Sequence, residues 1–512
     1  MTSRSILTWS VLAMSILTNF GEPTFAAGKV RPAAVAGTFY PGEPGALRMA
    51  VRAFLDRAVP ARHERPLALI VPHAGYVFSG QIAADGYRQA EGGDYDVVVI
   101  LGVNHKASGF QGISVYDGPG YRTPLGTASC DRTLADALRR ADKRFAYEPR
   151  ADSAEHSVEV QVPFVQTVLP GVPIVPVVVG GHDEKLWDAF ARALPSALEG
   201  RKPLIIASSD LSHYPPHAEA CASDRAVLAA VATLDPTEVR RTIGKQMRSS
   251  RADLATCACG EGPIVIALTA ASLLGAGHAA ALSYANSGDT AVGDRSRCVG
   301  YGSVAILPGA GEADTAALSP VEPAPAETEL KDGDRRALLE FARATIRQYL
   351  DSETAPLFRS VSPVLWRQQG AFVTLKKRGQ LRGCIGHMTE DMPLGQVVGA
   401  MAIQAAFNDR RFDPVTMREA DDLEIEISVL TPFRAVSGPE AVVVGRDGVV
   451  LRKGDRSAVF LPQVATEQGW DRETLLRQLS LKAGLPADAW RSGAQLSVFQ
   501  AEVFGEHDLP RR

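Results

Sequence analysis

Four short runs in the first three hundred residues are continuously apolar: Leu67-Ala-Leu-Ile-Val71, Val97-Val-Val-Ile-Leu101, Ile174-Val-Pro-Val-Val-Val179 and Leu204-Ile-Ile-Ala207. They are rich in β-branched residues and do not alternate with polar ones, the pattern of strands buried on both faces of a mainly parallel sheet. Helical patterns lie between and after them, as in Lys185–Leu194, Asp224–Leu234 and Ile264–Leu274. A three-layer α/β domain over residues 29–307 is expected. Residues 308–330 are rich in Pro, Ala and Glu without apolar periodicity and read as a semi-extended linker, or as an acidic loop packed on one body. Beyond it, Leu338, Leu339, Ala342, Ile346, Tyr349 and Leu350 share one face of a helix over Asp334–Leu350. Strands follow at Ala371–Leu375, Leu423–Leu430 and Val449–Leu451. The alternation in Leu423–Val429 marks a half-exposed strand, so residues 331–510 read as an α+β body with its sheet covered on one face.

The first 26 residues break this pattern. Arg4 precedes an apolar run, Ile6–Thr18, of roughly 13 residues, and Thr24-Phe25-Ala26 offers small residues for cleavage, as in a secretory signal. The run is shorter than the ~20 residues needed to span a bilayer. The expectation is a secreted or periplasmic mature chain without a membrane anchor; a misassigned start would make it cytoplasmic. The 54 basic and 58 acidic residues give a net charge of −4, which supplies no basic surface for nucleic acid. Six Cys in 512 residues are too sparse for a disulfide scaffold.

Eight of the ten histidines lie between His63 and His278, and placement selects among them. His73 follows the first strand, His105 the second, and Asp210 and His213 a third. Carboxyl ends of parallel strands form one rim, where ligands bind. Gly75 and Gly102, beside the two histidines, would permit tight turns and close backbone approach. Cys257 and Cys259 lie in a Gly-rich turn just before an apolar helix, where backbone N–H groups favour a thiolate. Two imidazoles and a thiolate suit copper, iron or zinc, whereas His and Asp alone suit iron or zinc. His156 reads as a rim residue or a helix N-terminal polar group; His63, His182, His217 and His278 read as structural. Ser208, Ser209, Asp210 and His213 lie together, but no G-x-S-x-G elbow supports a hydrolase triad, and no G-x-G-x-x-G or Walker loop supports nucleotide binding.

These residues sit in motifs that carry a resemblance: Gly37-Thr-Phe-Tyr-Pro41, Val71-Pro-His-Ala-Gly-Tyr76, Glu155-His-Ser-Val-Glu-Val160, Ser209-Asp-Leu-Ser-His213, Cys259-Gly260 with Gly262-Pro263, and Ser283-Tyr-Ala-Asn-Ser-Gly-Asp289. In this order, over residues 29–307, the chain resembles the Memo family. The resemblance implies a fold like that of class III extradiol dioxygenases. It implies His73, His105 and Cys259 as metal ligands for copper or iron, and Asp210 and His213 in the same pocket as proton donor or supporting groups. A thiolate where the dioxygenases hold a carboxylate turns the expectation from ring cleavage towards other copper- or iron-dependent redox chemistry on a small molecule or peptide. Holding a metal or peptide without turnover is the alternative.

Residues 331–510 resemble an AMMECR1 domain through Leu381-Arg-Gly-Cys-Ile-Gly386, supported by Phe407-Asn-Asp-Arg-Arg-Phe-Asp-Pro414, Glu426-Ile-Ser-Val-Leu-Thr-Pro432, Leu461-Pro-Gln-Val-Ala465, Gly469-Trp-Asp471 and Lys482-Ala-Gly-Leu485. Cys384, near Arg382 and His387 in the chain, is a candidate nucleophile there, or a packed residue between turn glycines. Together the two resemblances are those of the AmmeMemoRadiSam set and imply a functional link to a radical-SAM protein. The chain has no Cys-x3-Cys-x2-Cys cluster motif and is not that third member.

Overall fold

The computed structural model describes residues 29–62, 64–248, 253–320, 322–325 and 329–508. The leader-like segment 1–26 and His63 lie outside them. In the first body the strands are β1 (Ala68–Val71), β2 (Val97–Val103), β3 (Ile113–Val115), a hairpin of β4 (Gly120–Thr123) and β5 (Gly126–Ser129), β6 (Ile174–Val179), β7 (Pro203–Ser208), β8 (Ala276–Asn286) and β9 (Gly300–Pro308). Seven of them form one sheet in the order β3-β6-β2-β7-β1-β9-β8. The four continuously apolar runs are its parallel centre, β6-β2-β7-β1, and antiparallel strands close both edges.

Period-two alternation divides each central strand between two cores. Val97, Val99 and Leu101 pack with Val177 and Ala207 on one face, while Val98 and Ile100 pack with Leu69, Val178 and Ile206 on the other. Both faces are covered by helices, as continuous hydrophobicity requires. The helix Glu184–Leu198 starts where the Asp183 side chain accepts from the Lys185 and Leu186 N–H groups, and it ends at left-handed Glu199 (φ 48°).

One topological fact places the site. β7 lies between β1 and β2, with Val71 level with Ser208 and Leu101 level with Ala207, so the three strand ends that lead to His73, His105 and Asp210 are neighbours.

The described parts of 308–330 are packed rather than free. Asp314 bridges to Ala280 on β8, Leu318 is buried against the first core, and Ala324 N–H donates to Pro363 O at 3.1 Å. The second body holds β10 (Ala371–Lys377), β11 (Gln380–His387), β12 (Leu423–Leu430), β13 (Arg434–Val436), β14 (Gly448–Lys453), β15 (Arg456–Phe460), β16 (Gln495–Phe499) and β17 (Ala501–Gly505). These form two antiparallel sheets, β11-β10-β12-β17 and β13-β16-β14-β15, where a single sheet was expected. The helix Asp332–Ser352 buries Leu338, Leu339, Ala342 and Ile346 against Val373, Leu375, Ile425 and Ile427. The second sheet has its own small core around Val449, Leu451, Leu476 and Leu479. Among the described residues no helix is long and apolar enough to cross a membrane.

Candidate metal centre

His73, His105 and His156 each offer a ring nitrogen, and the three atoms lie within 4.8 Å of one another. Two of the tautomers follow from the partners. Ser208 Oγ donates its single proton to Ser157 O at 2.6 Å, so it can only accept from His73 Nδ1 at 2.9 Å and from Gln161 Nε2 at 2.9 Å. His73 therefore carries its proton on Nδ1, and its Nε2 lone pair faces Cys259 Sγ at 3.2 Å. A carboxylate only accepts, so Glu155 Oε1, 2.9 Å from His105 Nδ1, puts the His105 proton there too and leaves Nε2 bare.

Glu155 organises the whole corner. Its carboxylate is buried and accepts from His105 N–H at 2.7 Å, and from the His156 and Ser157 N–H groups at 2.9 Å each. Burial opposes its ionisation, but the bonds from His105 and the neighbouring His156 outweigh it and bring the carboxyl down to about 2. The His156 ring stacks on His105 with centroids 4.6 Å apart and lies 4.6 Å from Phe39. Burial, then the adjacent imidazoles, lowers His73 and His156 each to about 3, so both rings are neutral, the form that binds metal.

Glu155 is held in turn by Arg31, which donates to Glu155 O at 2.7 Å, to Asp152 O and to Glu159 Oε2 at 2.6 Å. Gly102 lets this segment seat on the end of β2, because a Cβ there would stand 2.5 Å from Ser157 Oγ. Gly75 caps the helix Tyr76–Arg88 at an ordinary φ of −56°, and a Cβ there would meet nothing closer than 3.5 Å.

Asp210 is 5% exposed and accepts the His73 and Ala74 N–H groups on Oδ1 at 2.7 and 3.2 Å, so it positions the backbone of His73. Burial raises its carboxyl. His213 Nδ1 is bonded to Leu211 O at 2.9 Å, and its backbone bridges Thr256 and Val299. Cys259 approaches because Gly260 packs on the end of β7, where a Cβ would meet Ser208 O at 2.6 Å.

The expectation of a lowered thiol at Cys259 is reversed in direction. Burial, then the nearby Asp210, pushes Cys259 well up, so the thiol keeps its proton until something replaces it. Gly260, not Cys259, is the cap of the helix Glu261–Leu273, one residue too far along for the helix start to offset burial. Cys257 is buried against Ser223 and Met247.

Sequence reasoning left His156 undecided between rim and helix start; it is both, as the first residue of the helix His156–Glu159. It reaches the rim from the crossover between β2 and β6, which strand-end placement does not flag. Its motif neighbour Glu155 was the available signal.

In the second body Cys384 lies mid-strand on β11, opposite Thr374, whose Oγ1 is 3.2 Å from Sγ. Arg382 is tied to Glu419 and His387 to Asp391 and Thr389. Arg411 donates to the Cys384 carbonyl at 3.0 Å, Lys482 is a second cation near the thiol, and Asp409 accepts the Cys384 N–H.

The family model described as Memo-like protein matches residues 31–305, and the AMMECR1 model matches residues 339–504. A MEMO1 family protein of Methanopyrus kandleri is 35% identical over 291 residues, 54% of this chain and 99% of that protein. Another, of Methanothermobacter thermautotrophicus, is 35% identical over 282 residues, 53% of this chain and 98% of its own length. A Pyrococcus horikoshii protein is 40% identical over 196 residues, 36% of this chain and 94% of that protein. The crystal structure of an uncharacterized Pyrococcus horikoshii protein matches at 39% identity and a TM-score of 0.33, covering 34% of this chain and 92% of that one. The chain belongs to the Memo-like family and carries an AMMECR1 domain behind its Memo domain.

Proposed function

We propose that the rim cluster binds one copper or iron ion through His73, His105 and Cys259, with His156 beside them, and supports redox chemistry on a small molecule or peptide. The observation that carries this reading is the pair of locked tautomers. Ser208 and Glu155 hold the Nδ1 protons of His73 and His105, and both Nε2 lone pairs are left for a ligand beside a thiol. The donor set fits the metals: the three mutually close donors are imidazole nitrogens with no carboxylate among them, and Cys259 Sγ, 3.2 Å from His73 Nε2, adds a sulfur, a borderline-to-soft set. A bound copper or iron ion would supply electron transfer and activation of oxygen or substrate at the rim. The chain's own part is to keep the His73 and His156 imidazoles neutral by burial, to give up the Cys259 proton on binding, and to hold His73 in place through Asp210. Asp210 or His213, on the segment after β7, would serve as proton donor or as support for the ligands.

The test is metal content and oxygen consumption of the purified protein against Cys259→Ser and His105→Ala. Stoichiometric copper or iron in the parent, lost in both variants, is expected; unchanged stoichiometric metal in both variants overturns the reading. One observation favours a second reading, metal holding without turnover: three imidazoles and a thiol are enough donors to close a four-coordinate site. Tightly held metal with no oxygen consumption would select it. Export of the mature chain after cleavage near Ala26 and a link to a radical-SAM protein extend the proposal. The first is checked by the N-terminal residue of protein recovered from its native compartment, the second by co-purification.

A further inference from the structure

A second cluster of chemistry-bearing side chains lies away from the rim, where the two domains meet. His217, Cys221 and Arg225 follow one another at helical spacing on a single face of the helix His217–Ala232. They line a cavity of about 350 Å³ whose other walls include β8, Ala317, Ser319 and Pro320 and, from the AMMECR1 domain, Leu357, Phe358, Trp366 and Pro393. The joint around it is built. Arg359 crosses to Asp85 with both terminal nitrogens, Arg295 donates to Gln396 Oε1 at 3.2 Å, and Gln396 donates to Asp289 Oδ1 at 3.2 Å. Leu357 packs with Ile82, Ala285 and Tyr301 of the Memo domain.

Among the described cations at this wall, Arg225 is the one that donates to no carboxylate. Asp85 is matched by Arg359, and Asp289 by His217 Nε2 at 2.6 Å and by Arg295. Asp224 is fully buried and committed to Ser212 N–H at 2.8 Å and the Tyr284 hydroxyl at 2.9 Å. Among the described residues Arg225 Nε is buried without a hydrogen-bond partner; the guanidinium feels the neighbouring Asp224 carboxyl and lies over the Tyr284 ring, its carbon 5.6 Å from the ring centroid, but donates to neither. An unsatisfied donor in a half-buried guanidinium at a cavity wall is costly unless an acceptor arrives. A carboxylate matches the planar fork in shape and charge. Asp289, Arg359 and Gln396 also reach the wall but are tied up in the joint, and Leu282, Leu357, Phe358, Trp366 and Pro393 form an apolar patch that calls for an apolar body.

We propose that this interdomain cavity is a second small-molecule site, taking a monocarboxylate with a compact aromatic or branched apolar body whose carboxylate pairs with Arg225. It is independent of the rim cluster and of what that cluster binds. Because both domains wall it, occupancy would hold them together. Cys221 lines the same cavity and accepts the Asn286 amide at 3.4 Å, which makes its thiol a reporter inside the site.

The experiment uses the full-length protein and reads iodoacetamide alkylation of Cys221 by peptide mass spectrometry, with phenylacetate as probe. Phenylacetate is expected to slow alkylation of Cys221 but not of Cys384, with half-protection near or below about 1 mM, as suits a ligand of this size. Phenylethylammonium, with the same body and opposite charge, should not protect. Arg225→Gln should raise the half-protecting concentration about tenfold or more. Leu357→Trp, which fills the cavity from the other domain, should abolish protection, so the result does not hang on one variant's folding. Absence of protection at saturating phenylacetate, equal protection by phenylethylammonium, or an unchanged half-protecting concentration in folded Arg225→Gln overturns the proposal.

Discussion

Replacing Glu155 by Gln changes one atom and disturbs the metal corner in a calculable way. The carboxylate accepts four N–H groups: Oε2 takes His105 N–H, and Oε1 takes His105 Nδ1–H and the His156 and Ser157 amides. A carboxamide has one acceptor oxygen. In either flip its NH2 group meets at least one of those donors, leaving that N–H buried and unpaired. A bond to a charged acceptor contributes about 1.5–3 kcal/mol net, and an orphaned donor costs a further 1–3. The three remaining bonds also lose their charge assistance. The expected loss of stability is at least about 2 kcal/mol, read as a shift in urea unfolding of metal-free protein. Because the acceptor that fixes the His105 tautomer loses its charge, affinity for copper or iron should fall about 10–100-fold, read by competition with a chromophoric chelator. Unfolding within about 0.5 kcal/mol of the parent together with unchanged affinity would refute the reasoning, since Glu155 would then neither hold the corner nor orient the ligand.

Arg31→Met should cost about 3–5 kcal/mol in urea unfolding, because it strands the fully buried Glu159 and Asp152 without their cation; a loss under 1 kcal/mol would contradict this. Asp224 is raised by burial from 3.8 to about 7, so the folded state holds its proton more tightly than the unfolded state. Its contribution to stability therefore falls as pH rises from about 4 to about 7, by on the order of 4 kcal/mol in the limit. The stability of the parent relative to Asp224→Asn should be greater at pH 5 than at pH 8, and a pH-independent difference would count against it. Gly102→Ala drives a methyl into Ser157 and Val158, so it should lower the thermal midpoint and weaken metal uptake together, whereas a change in neither would show that the close approach is not needed.

The central strands and the rim were legible because parallel strands buried on both faces read as unbroken apolar runs, and the residues just past their ends then fall on one edge. His73, His105 and Asp210 were placed in this way. His156 was not, because it arrives on a helix inside a crossover and depends on Glu155, whose four bonds reach residues up to 50 positions away in no periodic pattern. The Arg31–Glu159 pair, separated by 128 positions, is equally silent in the sequence. Cys259 showed the limit of a local rule: one residue's offset from the helix cap leaves burial to decide the thiol's state. The linker composition pointed to an extended chain or a packed acidic loop; the backbone of Asp314 on β8 and the buried Leu318 pin it to the first body, pairings that composition does not announce. The joint between domains rests on single long-range partners such as Arg359 and Asp85, which neither domain's pattern announces.

The central claim is that two tautomer-locked imidazoles and the Cys259 thiol hold a copper or iron ion at the rim. X-ray absorption at the metal edge of reconstituted full-length protein tests it most directly. The account predicts nitrogen scattering from at least two imidazoles with one sulfur, and loss of the sulfur contribution in Cys259→Ser. A spectrum with no sulfur in the parent, or one unchanged by Cys259→Ser, would contradict it.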